Sequence, residues 1–204
     1  MRSLTDVVRW IYHHNIRLVY FFLRMPRAKQ MIRALVFDRG DTAMRVFPEF
    51  SGPMAHWPRV EAVSGVESAL KMVKPNYRIA LASNAIDSGP DLVRDALERV
   101  NLDGYFSEVF TARDLGATKP DGRFFKAILK RLDCAPDEVV MVGDHFETDI
   151  AGAKGAGLWT IWFNPTGNAI PPNGEGKADA VISSHSELEN ALLMISGRAS
   201  RIRH

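Results

Sequence analysis

From residue 31 onward the chain alternates short apolar runs with amphipathic stretches, and this alternation restricts the fold more than any other property of the sequence. Residues 32–37 (IRALVF), 78–83 (RIALAS), 107–112 (SEVFTA), 138–143 (EVVMVG), 159–163 (WTIWF) and 178–182 (ADAVI) read as strands. Residues 66–73, 91–100, 122–132, 147–157 and 186–195 have helical spacing. Nearly continuous apolar strands separated by helices must be covered on both faces. The expected fold is therefore α/β, a three-layer Rossmann-like parallel sheet with helices on both faces. Such sheets bind ligands at the carboxyl ends of their strands, where the strand order switches. Residues 164–177, rich in Pro, Gly and Asn, read as an exposed loop. The basic tail 197–204 (GRASRIRH) reads as disordered.

Composition bounds the rest. With 204 residues, 46% apolar and 25% charged, the chain has the make-up of one globular domain with a proper core. Its one cysteine, Cys134, excludes an intramolecular disulfide and fits a reducing, cytoplasmic setting. Residues 1–30 hold six Lys/Arg and one acid, so the mild overall basicity comes from this end. The remainder shows no nucleic-acid-like charge excess. No apolar stretch approaches the ~20 residues of a membrane-spanning helix. The expected division is a basic extension, 1–30, and a domain, 31–204, with Met31 a natural start just before the first strand. The extension, which is aromatic, apolar and helix-compatible, also suits a membrane-surface amphipathic helix or a transit-like segment.

Four segments place polar groups at or just after strand ends. Asp38 follows Phe37, Ser83 ends its strand, Lys119 follows 112–118, and Asp144 follows Gly143 with Asp149 five residues later. Each has an ordinary explanation on its own. Ser83 suits a cap, Lys119 a solvated surface, and 143–149 (GDHFETD) a helix start favoured by acids. His145 is read as shaping the rim, and 152–157 (GAKGAG) as glycines ending a helix and not a dinucleotide fingerprint. The ordered convergence of all four segments on one rim is what these separate explanations leave unaccounted for.

In that order the segments resemble the motifs of the haloacid dehalogenase-like superfamily of phosphatases and phosphotransferases. Residues 35–42 (LVFDRGDT) are similar to its first motif, a strand followed by D-x-D-G-T; 81–85 (LASNA) to its second; 116–125 (GATKPDGRFF) to its third; and 139–164 to its fourth. The resemblance runs from about residue 31 to 195. It implies an Mg²⁺-dependent phosphatase that forms an aspartyl-phosphate on Asp38. It further implies that Asp38, the Gly40 carbonyl and Asp144 hold the metal, with Asp149 supporting it or orienting Lys119. Ser83 and main-chain N–H groups near Gly40 and Asn84 would hold the phosphoryl oxygens, Lys119 would balance their charge, and Arg39 is a candidate for a substrate phosphate.

One position departs from the pattern. Where the family's phosphatases carry a second aspartate, the acid/base, this chain has Gly40, and the acid is Asp41. Either the glycine gives the backbone a conformation closed to other residues and Asp41 serves as proton shuttle, or Asp41 caps a turn and proton transfer is missing. The intervals 42–83 and 83–119 are too short for a cap domain, leaving room in 43–60 for a flap, whose Phe47, Phe50, His56, Trp57 and Arg59 either touch substrate or pack the flap down. The expected function is thus a capless phosphatase acting on a phosphorylated small molecule or macromolecule. The alternatives are a catalytically weak binding or scaffold protein and a membrane-peripheral protein acting through residues 1–30.

Overall fold

The computed structural model describes residues 32–202, and the expectations for residues 1–30 lie outside that range. Six strands form one parallel sheet: β1 (Ala34–Asp38), β2 (Arg78–Ser83), β3 (Glu108–Thr111), β4 (Val139–Gly143), β5 (Trp159–Phe163) and β6 (Ala180–Ile182). Their order is β3-β2-β1-β4-β5-β6, and every pairing is parallel. The chain reverses its direction of travel across the sheet between β1 and β4, so a crevice opens at their carboxyl ends.

Alternate residues of the inner strands supply two cores. Leu35 and Phe37 of β1, Ile79 and Leu81 of β2, and Val140 and Val142 of β4 join one core. It is covered by α1 (Val66–Val73), α2 (Pro90–Glu98) and α5 (Leu188–Ile202). Ala34, Val36, Ala80, Ala82, Val139 and Met141 face the other, under α3 (Gly122–Leu132). Helix α3 presents Phe124, Phe125, Ile128, Leu129 and Leu132 on one buried stripe, and Asp121 caps its start by accepting from Arg123 N at 2.8 Å.

Two expectations are corrected. The stretch 147–157 is not a plain helix: Phe146–Ala151 is a π turn, and the α-helical part, α4, is confined to Gly152–Gly155. The tail is not disordered at its start, because α5 continues to Ile202. Ile195 and Ala199 repeat the apolar spacing of Leu188, Ala191 and Leu192, so the helix keeps a face to bury.

In place of a cap domain stands the flap between β1 and α1. Phe47 and Trp57 are buried in the larger core, Phe50 packs between them at ring distances of 6.0 and 5.6 Å, and Arg59 lies 4.1 Å over the Phe47 ring. Arg99, just after α2, donates to the carbonyls of Met54, Ala55 and Trp57 at 3.3, 2.9 and 2.7 Å. These aromatics pack the flap onto the domain, while His56 and Arg59 remain exposed.

Candidate active site

The carboxyl ends of the central strands bring the expected residues together. Lys119 is buried, and its Nζ lies 2.5 Å from Asp38 Oδ1, 2.7 Å from Asp149 Oδ1 and 3.1 Å from the Ala82 carbonyl. Carboxylate oxygens of Asp38, Asp144 and Asp149 all lie within 4.8 Å of one another. Burial pushes Asp38 up to about 7, against the pull of Lys119, while Asp149 adds to the rise. Burial and the charge of Asp149 likewise raise Asp144, which Thr42 partly offsets. For Lys119 burial favours the neutral form, but Asp38 and Asp149 outweigh it and hold the ammonium above its ordinary range.

The local backbone explains this closeness. A Cβ on Gly143 would meet the Asp149 side chain at 2.5 Å, and one on Gly152 would meet Pro120 Cα at 2.8 Å. Both glycines therefore permit close approaches, of the β4 end to Asp149 and of α4 to the segment carrying Lys119. The π turn directs Asp149 inward, where its Oδ2 accepts from His145 N at 3.1 Å. Its Oδ1 meets Lys119 Nζ at 2.7 Å. His145 is exposed and caps the turn, its Nδ1 accepting from Thr148 N at 3.4 Å.

Several positioning contacts escaped the sequence reading. The side-chain amide of Asn84 grips the main chain of Lys119 from both sides, donating to its carbonyl at 3.0 Å and accepting its N–H at 2.7 Å. The Asn84 side chain is therefore committed to placing the lysine. Thr42 Oγ1 donates to Asp144 Oδ1 at 3.0 Å, and Trp162 Nε1 donates to the Asp144 carbonyl at 2.8 Å. Ser83 is buried, and its Oγ accepts from Ala85 N at 3.3 Å. Arg39 has Nε and Nη1 buried without a hydrogen-bond partner among the described residues; burial lowers its pKa against the opposing charges of Asp38 and Asp87.

Gly40 does not take the unusual backbone conformation that one of the two readings gave it. Asp41, not Gly40, occupies the left-handed region, at φ 49. A Cβ on Gly40 would meet Val46 Cγ2 at 3.1 Å, so the glycine makes room for Val46. The Val46 N–H donates to Asp41 Oδ1 at 2.9 Å, and Asp41 N donates to the Met44 carbonyl at 2.7 Å. This fixes the Asp41 carboxylate by one oxygen. Asp41 and Asp144 together line a cleft of about 620 Å³ that reaches the ends of β5 and β6.

His185, fully buried, anchors the loop from behind. Its Nε2–H donates to the Thr42 carbonyl at 2.8 Å, its ring stacks on Phe163 at 4.3 Å, and Nδ1 has no partner among the described residues. Burial lowers its pKa from 6.5, which the bond to Thr42 only partly opposes. The sign follows: the unfolded chain takes up a proton below about 6.5 that the fold resists. The stabilising contribution of neutral His185 is present above that pH and is lost as pH falls toward its folded pKa. Thermal unfolding from pH 7 to pH 5 should show a falling midpoint, and His185→Gln should flatten that fall. An unchanged slope in the variant would contradict this.

The residues suit a small dication. Three carboxylates lie close together and two of them meet one lysine, the donors are all oxygen, and Asp38 Oδ2 and Asp144 Oδ2 are not claimed by another side chain among the described residues. Magnesium takes such hard donors, with one or two carboxylates sufficing. Among the described residues no helix is long and apolar enough to cross a membrane.

Comparison with known proteins agrees with this geometry. Residues 23–163 match the family model described as haloacid dehalogenase-like hydrolase. A glyceraldehyde 3-phosphate phosphatase of Pyrococcus furiosus is 33% identical over 97 residues, covering 48% of this chain and 39% of the relative. A pyrimidine 5'-nucleotidase of Escherichia coli is 34% identical over 131 residues, 63% of this chain and 55% of the relative. The chain thus spans roughly half or less of the length of these curated relatives. An uncharacterized protein from Listeria monocytogenes serotype 4b has the same fold, with a TM-score of 0.71 and 24% identity over 81% of this chain and 99% of that one. The family match, covering all four strand-end segments up to Phe163, agrees with the sheet order and the carboxylate–lysine cluster, and the chain belongs to the haloacid dehalogenase-like hydrolases.

Proposed function

We propose that the protein is an Mg²⁺-dependent phosphatase of phosphorylated small molecules, acting through an aspartyl-phosphate on Asp38. The observation that carries this reading is the buried Lys119 shared by Asp38 and Asp149, with a carboxylate oxygen of Asp144 within 4.8 Å of theirs. Mg²⁺ held by Asp38, Asp144 and the Gly40 carbonyl would supply the charge that lets an anionic nucleophile approach an anionic phosphate. Ser83, main-chain N–H groups near Gly40 and Asn84, and the ammonium of Lys119 receive the phosphoryl oxygens. Arg39 adds a cation beside Asp38.

In the first step an Asp38 carboxylate oxygen bonds to phosphorus. The bond to the leaving oxygen breaks with its electron pair, and that oxygen takes a proton from Asp41. In the second step Asp41 removes a proton from water as the water oxygen bonds to phosphorus. The acyl-phosphate P–O bond breaks, and phosphate and the Asp38 carboxylate are regenerated. Asp41 supports this role by its place on the cleft beside Asp144, held by the Val46 N–H through one oxygen.

Phosphate release from p-nitrophenyl phosphate with Mg²⁺, abolished by EDTA and restored by Mg²⁺, is the expected result. No metal-dependent release and no burst would mark a binding protein instead. Asp41→Asn keeps an acceptor for the Val46 N–H but cannot carry the proton. It should lower kcat on an alkyl phosphate by about 10²–10⁴-fold with little loss of thermal stability. A near-silent Asp41→Asn would rule out the shuttle.

A further inference from the structure

Beyond the phosphoryl site, the cleft of about 620 Å³ has a size suited to a whole small molecule. It begins at Asp41 and Asp144 and extends past the carboxyl ends of β5 and β6, away from Ser83 and Lys119. We propose that this cleft is the leaving-group subsite, built for an uncharged polyhydroxylated group such as the sugar of a sugar monophosphate. The proposal rests on the phosphatase reading of Asp38, since it assigns the other half of the same substrate.

The chemistry of the walls selects the ligand. Ser64, Thr166, Asn168, Ser183 and Ser184 offer hydroxyls and an amide, groups that exchange hydrogen bonds with a polyol. Phe163 is the one aromatic residue of the lining, and it is buried under His185, so no open ring face is offered to a nucleobase. Arg45, the lining cation, already has Glu61 at 3.5 Å, and the lining adds the carboxyl groups of Asp41 and Asp144. A second phosphate would find no unmatched positive charge in this lining.

The walls are also held in place before any ligand arrives. Asn164 is buried; its Nδ2 donates to the Asn168 carbonyl at 2.9 Å, and its Oδ1 accepts from Asn168 N at 2.9 Å. The loop following β5 is thereby closed into a fixed turn, with the Asn168 side chain unused by any hydrogen bond recorded among the described residues. At the end of the neighbouring strand β6, Ser184 Oγ caps the next turn by accepting from Ser186 N at 3.3 Å, and Ser183 Oγ donates to Glu187 at 2.7 Å. A preformed lining reduces the ordering cost of binding.

The test compares kcat/KM for glucose 6-phosphate, uridine 5'-monophosphate, fructose 1,6-bisphosphate and p-nitrophenyl phosphate, in the wild type and in Asn168→Ala and Ser64→Ala. The sugar monophosphate should be preferred to the nucleotide and the bisphosphate. In each variant the ratio of kcat/KM for glucose 6-phosphate to that for p-nitrophenyl phosphate should fall roughly three- to tenfold, mainly through KM. A preference for the nucleotide or the bisphosphate, or ratios unmoved by both substitutions, would overturn the subsite while leaving the phosphatase reading intact. No Mg²⁺-dependent release from p-nitrophenyl phosphate would overturn the phosphatase reading, and the subsite with it.

Discussion

Replacing Lys119 by methionine is expected to cost about 3–5 kcal/mol of stability, because it leaves the buried carboxylates Asp38 and Asp149 facing each other without their shared cation. That is a large fraction of the 5–15 kcal/mol typical of a folded domain. The side chain of Lys119 is 1% exposed, so water cannot replace it. The same substitution removes the ammonium proposed to meet the phosphoryl oxygens, and kcat on p-nitrophenyl phosphate should fall by about 10²–10³-fold. Urea denaturation and initial rates on the folded fraction check the two effects separately. A variant as stable as the wild type would mean that the lysine and the carboxylates do not form the buried cluster described above.

Asp38→Asn is expected to abolish turnover. An amide cannot serve as the nucleophile, and losses on the order of 10⁶-fold accompany removal of a nucleophile that carries the covalent step. Its effect on stability has a definite sign. Burial raises Asp38 from 3.8 to about 7, so in the metal-free protein the fold favours the protonated carboxyl. That favourable contribution is complete below 3.8 and is lost as pH rises through about 7. In EDTA, Asp38→Asn should therefore gain stability relative to the wild type as pH rises from 4 to 8. Added Mg²⁺ should raise the unfolding midpoint of the wild type more than that of the variant. The opposite pH trend would contradict the burial of Asp38.

The sheet was legible because its strands are apolar almost throughout, and both cores draw on alternate residues of the same three strands. Positions of the strand-end residues followed from that sheet: Asp38, Ser83, Lys119, Asp144 and Asp149 needed no knowledge of their partners. The partners were another matter. Asn84 meets Lys119 across 35 positions, Trp162 meets the Asp144 carbonyl across 18, and His185 meets Thr42 across 143. No local pattern encodes such contacts, since each depends on which strands become neighbours. The π turn was hidden for a related reason. Residues 147–157 have helical spacing, and nothing local marks the widened turn that accompanies the 2.7 Å contact of Asp149 with Lys119. Gly40 left two readings open because a glycine signals backbone freedom as readily as it signals room for a neighbour, here Val46.

The nucleophilic role of Asp38 is tested most directly by quenching the protein in acid within milliseconds of mixing it with Mg²⁺ and p-nitrophenyl phosphate, then digesting it and mapping phosphoryl groups by mass spectrometry. One hydroxylamine-sensitive phosphoryl group should appear on the peptide containing Asp38, and none should appear in Asp38→Asn. A phosphoryl group on another residue, or wild-type rates of phosphate release by Asp38→Asn, would contradict the account.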